Sequence, residues 1–220
     1  MTACLEAATE AGVVRAAVAA LRRAEPIVVL DDVRGAGTGL LVVAAEHATT
    51  DVMAFVVRHT GGFVRVALPA QRTAELALRD MMVPDPGSRA AALTVSADYV
   101  HGTTTGISAR DRSLTAMAMV DTATHASDLT RPGHVPAVRV HDDGVLGLPA
   151  PAEAAVDLVR LAGLRPGAVL SELVPAEGTD LVCGTNAEEF AAAHGLVAVG
   201  VAALVAALID VRLRSDALAS

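Results

Sequence analysis

Lysine is missing from this 220-residue chain: all seventeen basic residues are arginine. Without a lysine amine there is no Schiff-base nucleophile, which excludes pyridoxal-phosphate and class I aldolase chemistry. A Walker-type phosphate loop falls on the same ground. Tryptophan is absent too, with one tyrosine and three phenylalanines. A core of alanine and valine must bring backbones close together or bury area in an oligomer interface. Cys4 and Cys183 are the only cysteines. They allow neither a disulfide framework nor a four-cysteine zinc site, and a reducing cytoplasmic compartment is expected. The start, Met1 to Glu6, lacks the basic and apolar blocks of a signal peptide. The most apolar stretch, Leu196 to Ile209, falls short of the ~20 residues of a membrane span and reads as a buried element. With a formal charge of −8 and no basic stripe, neither nucleic acid nor membrane is an expected partner.

What is present alternates between helix and strand. Apolar residues at helical spacing (Val14, Ala17, Val18, Leu21) predict a helix over 13–23. Ile27–Leu30 and Leu40–Val43 read as strands around a glycine-rich loop, and Thr49 or Thr50 caps a helix through Arg58. Gly61-Gly62 turns into a strand over Phe63–Leu68, Ala70–Leu78 looks helical, and Pro84–Arg89 is a loop. Leu93–Ala97 alternates as a strand, and Ser108 opens a helix to about Ala123. Val135–Val140 and Val145-Leu146 read as short strands. Glu153–Ala162 is a helix with Gly163 after its end, and Val169–Leu173 a strand. Ala187–His194 and Val201–Arg212 are the last helices. Fold class α/β (α+β) follows: a single-domain mixed sheet over 1–220, covered by helices.

Four stretches carry the chemistry. Gly35-Ala36-Gly37-Thr38-Gly39 invites a dinucleotide reading, but Leu40 holds the sixth position and a strand follows where a helix should. Gly102-Thr103-Thr104-Thr105-Gly106-Ile107-Ser108 either cradles an oxyanion or is cap-and-turn chemistry. In Asp128-Leu129-Thr130-Arg131-Pro132-Gly133-His134, Arg131 offers a planar donor fork, Pro-Gly fixes a tight turn, and His134 stands at its exit. Glu172, between apolar neighbours in a strand, suits a general acid or base, or else points to water from an edge.

In this order, these stretches resemble 3,4-dihydroxy-2-butanone 4-phosphate synthase, the lyase of riboflavin biosynthesis. The resemblance rests on Asp31-Asp32, Arg58-His59-Thr60-Gly61-Gly62, Thr104-Thr105-Gly106-Ile107-Ser108 with Asp111-Arg112, Asp128 to His134, Gly144-Val145-Leu146, Leu161-Ala162-Gly163 and Ser171-Glu172-Leu173. It implies a homodimeric α/β sandwich with active sites near the dimer interface. The implied reaction enolises, dehydrates, rearranges and splits ribulose 5-phosphate with Mg²⁺ and a phosphate clamp.

Against the family's D-D-x-x-R-E-N-E-G-D loop, this chain reads Asp31-Asp32-Val33-Arg34-Gly35-Ala36-Gly37-Thr38-Gly39-Leu40. A metal-ligating Glu becomes Ala36, and two other acidic positions become Thr38 and Leu40. Along G-G-V-L-x-R-x-G-H-T-E-A, the metal-binding His becomes Pro151, while a phosphate-binding Arg and Thr become Leu148 and Ala152. The family's frequent Cys is Arg65. These changes lead to an expectation of a repurposed enzyme, with no metal and no cofactor. It would perform lyase, isomerase or cyclase chemistry on a less polar, unphosphorylated small molecule in specialised metabolism. His134 and Glu172, with Asp31 and Asp32, would move protons. His59, Arg65, Thr104, Thr105, Ser108, Arg131, Leu40, Leu148 and Ala36 would line the substrate. The alternatives are a non-catalytic ligand- or partner-binding relative, and the authentic butanone-phosphate synthase.

Overall fold

The computed structural model describes residues 2–33, 37–82, 92–175, 177 and 179–219. Helix α1 (Thr2–Arg22) contains the expected first helix and runs further toward the N-terminus, through alanine and glutamate that favour helix without marking an apolar face. Strands β1 (Ile27–Asp31) and β2 (Thr38–Ala44) follow as expected. Helix α2 (Thr50–His59) is capped by Thr49, whose hydroxyl accepts from the Val52 amide, with Asp51 in its first turn and Arg58 and His59 in its last. Then come β3 (Arg65–Leu68) and the short α3 (Ala70–Glu75). The expected loop Pro84–Arg89 lies outside the described residues.

The stretch expected as one strand over 93–97 is divided. Its start is β4 (Ala92–Leu93), and β5 (Ala97–Tyr99) belongs to a different sheet. Between them, the Thr94 hydroxyl bonds the Val95 carbonyl and accepts from the Ala137 amide. Helix α4 (Ala109–Val120) starts at its Ser108 cap. The Pro-Gly segment is not a free tight turn but part of β6 (Leu129–Val135), paired antiparallel to β5. Ala97 faces Val135 while Asp98 faces Thr130, so Arg131 to His134 bulge out of the ladder. Proline has no amide to donate, and the bulge places it where none is required.

After β7 (Ala137–Arg139), the expected strand at Val145-Leu146 is a helical turn, α5 (Gly144–Gly147). Gly144 has φ +58°, a conformation that suits glycine, and the Val145 amide donates to Asp157. Helix α6 (Pro151–Leu161) begins with proline at its first position, where no amide bond is lost. Strand β8 (Ala168–Glu172) and helix α7 (Thr185–Ala193) follow. The apolar run after Leu196 is two elements, β9 (Val197–Gly200) and α8 (Val201–Ala219). Among the described residues, no helix is long and apolar enough to cross a membrane.

Seven strands form a mixed sheet in the order β4-β7-β3-β8-β2-β1-β9, with β5 and β6 as a separate ribbon. Alternation along the strands sorts the core. Ile27, Val29, Leu40, Val42, Ala67 and Leu170 face a layer with buried residues of α1, α6 and α8. Val43, Val66, Leu68 and Val169 face buried residues of α2 and α4, and Val28, Leu30 and Leu41 face α7. The expected mixed sheet covered by helices is therefore observed.

Candidate active site

Two polar clusters stand out. The first is built where the ribbon meets the start of α4. His134, on the β6 bulge, has its Nδ1 2.7 Å from Asp98 Oδ2, and its backbone amide donates to Asp98 Oδ1 at 2.9 Å. One carboxylate thus orients both the imidazole ring and the chain that carries it. The other ring nitrogen, Nε2, remains available, and the side chain is 40 % exposed. Asp98 is buried. Sequence reading missed it: the alternating pattern ended one residue earlier, and nothing in the sequence pairs an aspartate with a histidine thirty-six positions on.

The hydroxyl-rich loop packs against this pair. Gly106, with φ +89°, comes so close that a Cβ would lie 2.1 Å from Asp98 Oδ2 and 2.4 Å from His134 Nδ1. The loop's donors are directed at Asp111. It accepts from the Thr104 amide (3.1 Å), the Thr104 hydroxyl (2.8 Å) and the Gly106 amide (3.1 Å). The Asp111 amide in turn donates to the Ser108 hydroxyl at 3.0 Å. Burial pushes the Asp111 carboxyl up, but the bonds from Thr104, Gly106 and Ser108 outweigh it and hold the group below the usual carboxylate range. Thr104 and Ser108, expected on a substrate, here serve the loop, whereas Thr105 is exposed. Arg131 is likewise occupied. Its guanidinium donates to the carbonyls of Leu76, Ala126 and Leu129 and ties α3 to the ribbon.

The second cluster lies on the α6 face of the large sheet. Glu172 at the end of β8 is opposite Leu40 of β2, and Arg65 begins β3 one register step away, opposite Leu170. The Arg65 Nη2 and Glu172 Oε1 atoms form an ion pair. Arg65 also lies over the ring of the half-exposed Phe63, 5.3 Å from its centroid. The clusters are joined through the Gly61-Gly62 turn: the Gly61 amide donates to the Glu172 carbonyl, and Arg112 of α4 donates to the Gly62 carbonyl.

The remaining expected residues are placed elsewhere or serve the framework. Asp32 accepts from the Ala202 amide at the start of α8, and Asp31 ends β1 opposite Thr38. His59 is stacked among Phe55, Phe190 and His194. Burial lowers its pKa first, then the neighbouring His194 and Arg58. Leu148 follows α5, half-buried, and Ala36 lies outside the described residues. Where the resemblance assigns metal and phosphate ligands, Pro151 and Ala152 are buried in the first turn of α6, Leu40 is buried, and the Thr38 hydroxyl faces Cys183 Sγ at 3.6 Å. Among the described residues, no group of three or more His, Cys, Asp or Glu could hold a metal ion.

Known proteins show the same framework. The family model described as 3,4-dihydroxy-2-butanone 4-phosphate synthase matches residues 15–207. The riboflavin biosynthesis protein RibBA of Salinispora arenicola is 42 % identical over 198 residues, covering 90 % of this chain and 47 % of the relative. The chain thus spans about half the length of the RibBA relatives it matches. The 3,4-dihydroxy-2-butanone 4-phosphate synthase of Agrobacterium fabrum is 39 % identical, over 87 % of this chain and 90 % of its own. A crystal structure of such a synthase in complex with two magnesium ions superposes with a TM-score of 0.82 at 36 % identity, covering 88 % of this chain and 95 % of the other.

These relatives correct the functional expectation. Isomerase or cyclase chemistry on a less polar, unphosphorylated molecule in specialised metabolism is overturned by relatives named for riboflavin biosynthesis across most of the chain. Agreement along nearly every element outweighs a handful of altered side chains at one end of the sheet. The chain belongs to the 3,4-dihydroxy-2-butanone 4-phosphate synthase family.

Proposed function

We propose that this protein is a lyase of riboflavin biosynthesis that converts ribulose 5-phosphate to 3,4-dihydroxy-2-butanone 4-phosphate and formate. One observation carries the reading: the family match over residues 15–207 includes an intact His134–Asp98 pair, built as an acid–base group should be. Asp98 fixes the imidazole through Nδ1, and Nε2 takes and returns the proton that enolisation of a ketose requires. Glu172, 27 % exposed, is the second group able to move a proton. The protein acts as one cytoplasmic domain and as a homodimer on a small-molecule substrate, without nucleic acid.

The residues present do not fit the hard-cation cage that the resemblance implies. A divalent ion needs several oxygen donors, and Ala36, Leu40 and Pro151 provide none from their side chains. The test is release of formate from ribulose 5-phosphate by the purified protein, with and without added Mg²⁺. Formate in either condition supports the lyase reading, and none in both overturns it.

A further inference from the structure

We infer that Arg65 is the cation that holds a negatively charged substrate oxygen at the Glu172 end of the sheet. The inference takes its ligand from the lyase reading, but its geometry stands by itself. Arg65 is only 11 % exposed, yet among the described residues its Nε is buried without a hydrogen-bond partner. A guanidinium has five N–H donors in a planar fork, and a buried donor left unpaired is unfavourable unless a ligand supplies the acceptor. Glu172 engages Nη2 and orients the fork.

Two other arginines also have a buried, unpartnered Nε, and the contrast is informative. Arg112 and Arg131 direct their terminal nitrogens at backbone carbonyls and act as internal clamps. Arg65 instead pairs with a carboxylate that reaches solvent, beside the half-exposed Phe63. Its strand register puts it on the face shared with Leu40, and among the described residues no group of three or more His, Cys, Asp or Glu could fix a dication there. A fixed positive charge appears where the means of recruiting a mobile one are missing. Arginine matches phosphate and carboxylate-like oxygens bidentately, which lysine cannot.

The oxygen belongs either to the phosphate or to the enediolate formed on enolisation, and both share this chemistry. The experiment titrates inorganic phosphate into the full chain by calorimetry in EDTA, and measures kcat and KM for ribulose 5-phosphate in the same buffer. Arg65→Gln should weaken phosphate binding or lower kcat by roughly 10- to 100-fold, with Arg65→Lys in between. Lost phosphate binding assigns the phosphate end, while lost kcat at unchanged KM assigns the reacting end. Because Arg65→Gln leaves Glu172 unpaired, Arg65→Gln/Glu172→Gln is tested for phosphate binding alongside it, with folding checked by thermal melting. Wild-type phosphate binding in the double variant together with unaltered turnover in Arg65→Lys would falsify the inference. So would wild-type binding and turnover that vanish in EDTA and return with Mg²⁺. Formate release that ignores Arg65 sinks the inference and spares the lyase reading; Arg65-dependent phosphate binding without formate does the reverse.

Discussion

The two ends of the candidate site are built on opposite principles. Around His134, internal bonds set the geometry: Asp98 holds both the ring and the backbone amide of His134, and Asp111 gathers the Thr104 and Gly106 amides. Around Glu172, one partly exposed ion pair stands opposite Leu40 and Leu170, and among the described residues the buried Arg65 Nε has no partner. The first end is a fixed instrument, over-determined by its own bonds. The second has open valences and depends on what arrives. Such a division suits the proposed lyase, which would keep its acid–base group in one geometry while accepting an anionic substrate.

The largest effects should come from adding a single methyl group. At Gly133, a Cβ would lie 2.2 Å from the Ala97 carbonyl carbon and 2.4 Å from the Asp98 amide nitrogen, and backbone cannot swing aside. Gly133→Ala should destabilise the fold by about 3 kcal/mol. Gly106→Ala, which also has φ +89° to sustain, belongs in the same class. Gly61, beside the Glu172 carbonyl, meets nothing nearer than 3.8 Å. Gly61→Ala should therefore stay within about 0.5 kcal/mol of wild type. Urea unfolding of the three variants decides the matter, and equal losses at Gly61 and Gly133 would erase the distinction between the two ends.

A second contrast separates chemistry from framework. His134→Ala and Asp98→Asn should each lower formate release by roughly 10²- to 10⁴-fold, because both act on the same proton transfer. The His134 side chain is 40 % exposed and its backbone amide keeps the other bond to Asp98, so truncation should lower the melting temperature only modestly. Arg131→Ala should do the opposite, since that side chain binds only the carbonyls of Leu76, Ala126 and Leu129 among the described residues. A full-rate His134→Ala enzyme would remove the acid–base assignment.

How far the sequence foretold this depends on the range of the interaction. Local signals were readable: the caps at Thr49 and Ser108, the helix over most of Glu153–Ala162, and the strands at Ile27–Leu30 and Leu40–Val43 all appear as expected. Signals that need a partner distant in the chain were not. Arg131 read as a ligand fork because nothing local shows that the Leu76 carbonyl awaits it from fifty-five residues away. Thr104 and Ser108 read as a ligand cradle because their bonds with Asp111, one donated to its carboxylate and one accepted from its amide, exist only once the loop closes. The short strand expected at Val145 failed for a related reason: Asp157, from the next helix, captures its amide. Side chains named for a ligand were, in these cases, serving the fold.

The smallest predicted effect lies in the aromatic cluster that flanks the open end, where the His59 carbonyl accepts from the Val174 amide just beyond β8. Burial, then the nearby His194 and Arg58, lowers the pKa of His59 in the folded protein. The unfolded chain therefore binds this proton more readily than the native one. Stability from the neutral ring is complete above the ordinary imidazole value of about 6.5 and is lost as pH falls through the lower, native value. His59→Phe keeps a ring among Phe55, Phe190 and His194 but cannot be charged. Its melting temperature should accordingly decline less than that of wild type between pH 7.5 and 5. His194→Gln, which removes one of the like charges, should fall between the two. Parallel melting curves for all three proteins would mean that the cluster titrates identically in the folded and unfolded states, leaving the open end without even this modest electrostatic constraint.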